Sequence, residues 1–310
     1  MTRPPAGLFL RPAPADPGLA HLRTALGRAL ATIAGARFAS LFLDAPAAIA
    51  APAAAALRAQ LDAGDWLMPG AEVTWHGPSA SPAALTALGV TRRSLPGPQA
   101  VRRMRPAMTL AIELGPADLP HPPGHAWMRR MLAAGMVHLG LSGSEVPASW
   151  VVVLDRLLRA HGFCRYETLH WALPGHEARW LLDARRGHAI MALGPGAYGR
   201  WPDAAGWRWW RSSGAAAWCR AVGRGGDGRG RLYRLTPQER AQERVIDGLR
   251  LAEGITPAAI EAETGLVRSA WLDEHALARL RASGRLHDLA GRLLAADPGE
   301  ADALALALLR

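Results

Sequence analysis

The chain has 310 residues, half of them hydrophobic, which is enough for one large domain with a smaller one and a substantial core. Its 36 basic residues are all arginine and exceed 26 acidic ones for a net charge of +10; they fall in scattered pairs (Arg92-Arg93, Arg102-Arg103, Arg129-Arg130, Arg185-Arg186), which predicts a solvated basic surface rather than a dedicated nucleic-acid site. Two distant cysteines, Cys164 and Cys219, exclude a disulfide framework and a cysteine-rich metal site and read as buried free thiols.

No apolar run reaches the ~20 residues of a membrane span. Met1-Thr2-Arg3-Pro4-Pro5 has no secretion pattern, so a cytoplasmic location is expected. Short apolar strands are predicted at Gly7–Leu10, Phe38–Leu43, Glu72–Trp75, Val90–Leu95, Met108–Leu114 and Met136–Leu141. Helical spacing alternates with them at Leu19–Ala34, Ala47–Ala63, Pro82–Leu88, His125–Ala134 and Trp150–Ala160. Strands alternating with helices predict βαβ units and a parallel sheet, arranged as a partial (β/α) TIM-like barrel with ligands at the carboxyl ends of the strands.

Tyr166 to Trp171 suits a further strand, Pro174-Gly175 a turn, and Ile190 to Leu193 is a short apolar run. Gly194-Pro195-Gly196-Ala197-Tyr198-Gly199 then packs three glycines into six residues, as at a tight bend or a close backbone approach. Trp207-Arg208-Trp209-Trp210 is read as a packed patch over the barrel, although aromatics with arginines also stack on bases or on a flat macrocycle. Gly223 to Gly230 reads as a flexible linker. Thr236-Pro237-Gln238-Glu239 opens a capped helix that ends at Gly254. Helices at Pro257–Glu263 and Glu274–Ala282, a wing over Gly284–Leu294 and a helix at Ala301–Leu309 follow. The expected organisation is a barrel over 1–165, a connecting β-rich, tryptophan- and glycine-rich region over 166–235, and a small helical, winged-helix-like domain over 236–310.

Tyr166-Glu167, Ala172, Pro174-Gly175 and Gly194-Pro195-Gly196-Ala197 resemble, in order and without gaps, motifs of the oxygen-independent coproporphyrinogen III oxidases and their haem-chaperone relatives, which are radical S-adenosylmethionine (SAM) proteins. Weaker likeness covers nearly the whole chain: Ala39–Leu43, Glu72-Val73-Thr74, Gly89-Val90-Thr91-Arg92 with Ser94-Leu95 and Gln99, Gly135–Leu141 with His138, and Glu243, Gly248-Leu249-Arg250 and Glu253-Gly254. The resemblance implies porphyrin chemistry, a 4Fe-4S cluster and SAM. The chain departs from it where that chemistry would sit. The CxxxCxxC that follows the family's first strand is replaced by Arg11-Pro12-Ala13-Pro14-Ala15-Asp16. The glycine-rich SAM stretch is Asp44-Ala45-Pro46-Ala47, the carboxylate after the third strand is His76, and Asp-Leu at the fifth is Glu113-Leu114. His-Asn-x-x-Tyr-Trp is replaced by Trp180-Leu181 and, further on, Ala184-Arg185, and the histidine after Gly-x-Gly-Ala is Tyr198.

Cluster and SAM are therefore expected to be absent, because thiolate ligation needs cysteines. Haem is the remaining cofactor candidate. His170, His176 and His188 are close in sequence, and His176 is the axial-ligand candidate nearest the lost His-Asn. His76 and His138 are expected to be hydrogen-bonded structure, and Glu145 and Glu167 to stabilise the fold. The expected function is that of a degenerate, non-catalytic relative of this family, with a tetrapyrrole-related binding or regulatory role. Its partner would be haem, a porphyrin or a protein. The alternatives are an active coproporphyrinogen III oxidase-like enzyme, and a nucleic-acid binder using the C-terminal domain.

Overall fold

The computed structural model describes residues 6–14, 16, 18–33, 35–77, 80–97, 109–115, 118, 124–142 and 146–309. Gln99, the Arg102-Arg103 pair, Met108 and Glu145 lie outside the described residues. In chain order the elements are β1 (Ala6–Leu10), α1 (Ala20–Leu30), β2 (Phe38–Asp44), α2 (Ala51–Ala63), β3 (Leu67–His76), α3 (Pro82–Leu88), β4 (Arg92–Pro96), β5 (Thr109–Leu114), α4 (His125–Ala133), β6 (Met136–Leu141) and α5 (Ala148–Arg159). They continue with β7 (Cys164–Glu167), β8 (His170–Ala172), α6 (Arg179–Arg185), β9 (Ile190–Leu193), β10 (Tyr198–Asp203), β11 (Gly206–Arg211), α7 (Ala215–Gly223) and β12 (Leu232–Arg234). The last are α8 (Pro237–Leu249), α9 (Pro257–Thr264), α10 (Arg268–Trp271), α11 (Glu274–Ala282), the hairpin β13 (Leu286–Leu289) and β14 (Arg292–Ala295), and α12 (Ala301–Leu308). No helix among the described residues is long and apolar enough to cross a membrane.

The chain divides into two compact units, residues 1–113 with 134–136 and 188–234, and residues 114–133 with 137–187 and 235–310. In the first unit the strands run β12-β11-β10-β9-β1-β2-β3-β4-β5. From β9 to β5 they are parallel, and β10, β11 and β12 extend the sheet antiparallel. Alternation along each strand sorts two faces. Leu8, Leu10, Leu41, Leu43, Val73 and Trp75 share a core with Leu22 and Leu26 of α1, Leu57 and Leu61 of α2, and Leu85 and Leu88 of α3. Each such side chain taken fully out of water contributes roughly 1.5–3 kcal/mol, so this face supplies most of the unit's stability. The opposite face carries Phe9, Ser40, Phe42, Glu72, Thr74, Arg92 and Ser94. That polar face is the one available to chemistry.

The βα alternation is as expected from the sequence. Ile190–Leu193 differs from the bare apolar run read there: it is β9, paired with β1. The tryptophan-rich segment, read as a packed patch, is a strand, β11, with Trp210 fully buried and Trp207 packed against the core. Gly223–Gly230 is no flexible linker. Arg28 Nη1 donates to the carbonyls of Val222 at 2.6 Å and Gly226 at 2.7 Å, and Gly228 packs so closely on the Trp218 indole that a Cβ would lie 2.3 Å from Nε1. Arg92 and Arg93 are buried, not solvated. Arg92 Nε donates to Glu72 at 2.8 Å, while Arg93 donates to the carbonyls of Trp75 and Gly77 and burial pulls its pKa down to about 10. Cys164 is exposed and Cys219 half-buried, so neither is the fully buried thiol expected.

In the second unit β8 lies between β6 and β7, antiparallel to both. The single strand expected over Tyr166–Trp171 is broken at Thr168-Leu169, because the Glu167 carboxylate accepts the Leu169 N–H and closes a tight turn. The helices α8 to α12 and the β13–β14 hairpin surround a separate core of Val245, Leu249, Ile260, Trp271, Leu277, Leu293 and Leu304. α8 begins as its sequence predicts: Thr236 Oγ1 accepts the Glu239 N–H and Glu239 reaches back to the Thr236 N–H.

Candidate functional site

In a parallel sheet covered by helices, ligands meet the carboxyl ends of the strands. There the first unit builds one row of side chains across four strands. Arg11, just past β1, sits 5.4 Å over the Phe9 ring. Phe9 stacks on Phe42 of β2 at 5.7 Å, and Phe42 stacks on His76 of β3 at 5.7 Å. His76 Nδ1 meets Ser94 Oγ of β4 at 2.9 Å. Arg11 also donates from Nε to Asp44 Oδ2 at 2.6 Å and from Nη1 to the Pro195 carbonyl at 3.4 Å. The glycine-rich bend closes over it. Gly194 has φ +120°, and a Cβ there would lie 1.9 Å from the Arg11 carbonyl oxygen. Asp16 finishes the loop by accepting the N–H groups of Ala20, His21 and Leu22 at the start of α1. Both charged side chains of the β1–α1 loop thus have partners within the unit.

The second unit holds a network around Glu167, which is 2% exposed. Its carboxylate meets His170 Nδ1 at 2.8 Å and accepts from Leu169 N at 2.9 Å and Arg185 Nε at 3.0 Å. Arg185 also donates to Asp247 of α8 at 3.0 Å. Burial, the largest influence, pushes the Glu167 pKa up; the hydrogen bond and charge of His170, the charge of Arg185 and the Leu169 N–H outweigh it and hold it at about 2. Beside it His138 Nε2 and the Tyr166 hydroxyl are 2.8 Å apart, and that hydroxyl accepts the Ala178 N–H at 3.3 Å. Glu167, His170 and Arg185 also line an open groove of about 1280 Å³, with Leu141, Val151 and Val152 among its apolar walls.

Residues 235–299 match the family model described as the HemN C-terminal domain. The solved structure of coproporphyrinogen III oxidase (HemN) from Escherichia coli, a radical SAM enzyme, aligns with a TM-score of 0.73 over 98% of this chain and 90% of that one, at 14% identity. The chain has the fold of that oxidase. Both findings bear out the resemblance read from the sequence. No curated protein matches the chain by sequence.

Set on the oxidase fold, the end of β1 does not fit a 4Fe-4S cluster. Cluster irons need thiolates; Leu10 to Asp16 supplies only an ion-paired arginine and a helix-capping aspartate. Among the described residues no group of three or more His, Cys, Asp and Glu is placed to hold a metal ion. Of the histidines singled out in the sequence, His76 and His138 are hydrogen-bonded within their units, as expected. His170 is oriented by Glu167. His176 lies in the turn after β8, its N–H donated to the Leu173 carbonyl at 2.9 Å, and the His188 carbonyl accepts from Arg200. Sequence reasoning missed Arg11 and Phe42 as parts of one row; the only signal was their place at the ends of adjacent predicted strands.

Proposed function

We propose that this chain is a coproporphyrinogen oxidase-like protein that has given up radical chemistry and acts as a binding or regulatory protein for a tetrapyrrole. The observation that supports loss of the chemistry is the Arg11–Asp44 ion pair under Gly194, formed by the residue that follows β1, where the resemblance implies cysteines. The groove beside Glu167 supports the ligand class. Its volume exceeds the ~300–1,000 Å³ typical of small-molecule sites. Its valines and leucines suit a flat apolar ring, and Arg156 suits a carboxylate side arm, while Arg159 and Arg250 are held by Asp155 and Asp302 of the same lining. His170 stands at its wall with Nδ1 fixed by a buried carboxylate, the arrangement that orients a metal-binding imidazole through Nε2. His176 is outside the residues that line the groove and is the competing ligand.

A haem titration followed at the Soret band tests this on wild type, His170→Ala and His176→Ala. The expected result is a shifted band in wild type that is lost in His170→Ala and kept in His176→Ala. Loss only in His176→Ala transfers the ligand role to that residue. No shift in wild type removes haem as the ligand.

A further inference from the structure

The charges behind His170 bear on which oxidation state of iron the groove would hold, an inference that rests on the tetrapyrrole reading of that groove. His170 is the one imidazole among the described residues that line it. A carboxylate only accepts, so the 2.8 Å contact with Glu167 Oε2 places the proton on His170 Nδ1 and leaves the lone pair on Nε2. The same oxygen accepts the Leu169 N–H at 2.9 Å, and Arg165 Nε donates to the Thr168 carbonyl at 2.9 Å, so the turn that carries His170 is tied from two sides. The Glu167 side chain is 2% exposed and that of His170 17%. The carboxylate is thus shielded from water while the imidazole stands at the groove wall.

The second oxygen, Glu167 Oε1, accepts from Arg185 Nε at 3.0 Å, and Arg185 Nη1 donates to Asp247 at 3.0 Å. Two carboxylates share one guanidinium, which leaves one net negative charge behind the imidazole. The charges of Arg165 and Arg250 also reach Glu167, but each has a carboxylate of its own. Arg165 pairs with Asp297 at 3.3 Å and Arg250 with Asp302 at 2.6 Å.

We propose that the groove selects ferric over ferrous haem, with His170 as the axial ligand and Glu167 as the positioning residue behind it. Ferric iron carries one more positive charge than ferrous. A surplus negative charge one imidazole away favours it, and burial limits the screening of that attraction. The hydrogen bond to a carboxylate also makes the imidazole a stronger donor, which again favours the higher charge. Such a site suits holding or handing on oxidised haem. It does not suit dioxygen carriage, which needs ferrous iron.

A spectroelectrochemical titration of the haem-loaded full chain tests the proposal on wild type, Glu167→Gln and Asp247→Asn. The wild-type midpoint is expected at least about 59 mV below that of Glu167→Gln, which is a tenfold change in the ferric-to-ferrous affinity ratio for one electron. Asp247→Asn leaves Arg185 wholly to Glu167 and cancels the surplus charge, so its midpoint should also rise, by less. Circular dichroism checks that each variant is folded; if Glu167→Gln is not, Asp247→Asn decides alone. A midpoint in the folded variants equal to or below that of wild type overturns the proposal and leaves haem binding standing. No Soret shift in wild type, or a shift lost only in His176→Ala, overturns it together with the reading of the groove.

Discussion

Replacing Glu167 by alanine is expected to destabilise the second unit by about 3–5 kcal/mol, the cost typical of removing one partner from a buried ion pair. Glu167 is almost wholly buried and ties the β7–β8 turn, through Arg185, to Asp247 on α8. Without it Arg185 keeps one carboxylate, while the Leu169 N–H and His170 lose theirs. Urea unfolding followed by circular dichroism reads the change. The same carboxylate fixes a pH dependence. Its folded pKa, about 2, lies below the ordinary value of 4.5, so its contribution is complete above about 4.5 and is lost as pH falls through about 2. The difference corresponds to about 3 kcal/mol. The stability gap between wild type and Glu167→Ala should therefore narrow between neutral pH and about pH 3. A gap that is constant over that range would show that the carboxylate is not held ionised by these partners.

Gly194→Ala is expected to cost about 3–5 kcal/mol, adding the strain of a positive φ to overpacking. The new methyl would have to displace the backbone of Arg11, since its distance to that carbonyl oxygen is 1.9 Å. The Arg11–Asp44 pair would move with it. Thermal unfolding of Gly194→Ala against Gly214→Ala separates this from a general glycine effect, because nothing lies within 4 Å of a Cβ at Gly214. Equal melting temperatures for the two variants would mean the bend over Arg11 is loosely packed.

The strands β1 to β5 were legible because their apolar runs alternate with helix-periodic stretches, and the start of α8 because Thr236, Pro237 and Glu239 each have a local role. β9 was not legible as a sheet strand. Four apolar residues carry no period, and its partner β1 is some 180 residues away in sequence. α6 was missed since its seven residues have no side-chain cap. Arg92 and Arg93 misled because arginine reads as surface, whereas Glu72 and two backbone carbonyls receive them inside the fold. The candidate site was half legible. The missing cysteines were plain in the sequence; the aromatic row from Phe9 to His76 required the register of three strands.

The central claim is that the oxidase fold here carries no cluster, and anaerobic reconstitution with iron and sulfide tests it most directly. Iron content and visible absorption are read after gel filtration. The account predicts sub-stoichiometric iron and no cluster absorption in the filtered protein, since the stretch from Leu10 to Asp16 contains no cysteine and the whole chain has two. Retention of about four irons per chain, with the broad cluster absorption surviving filtration, would contradict it.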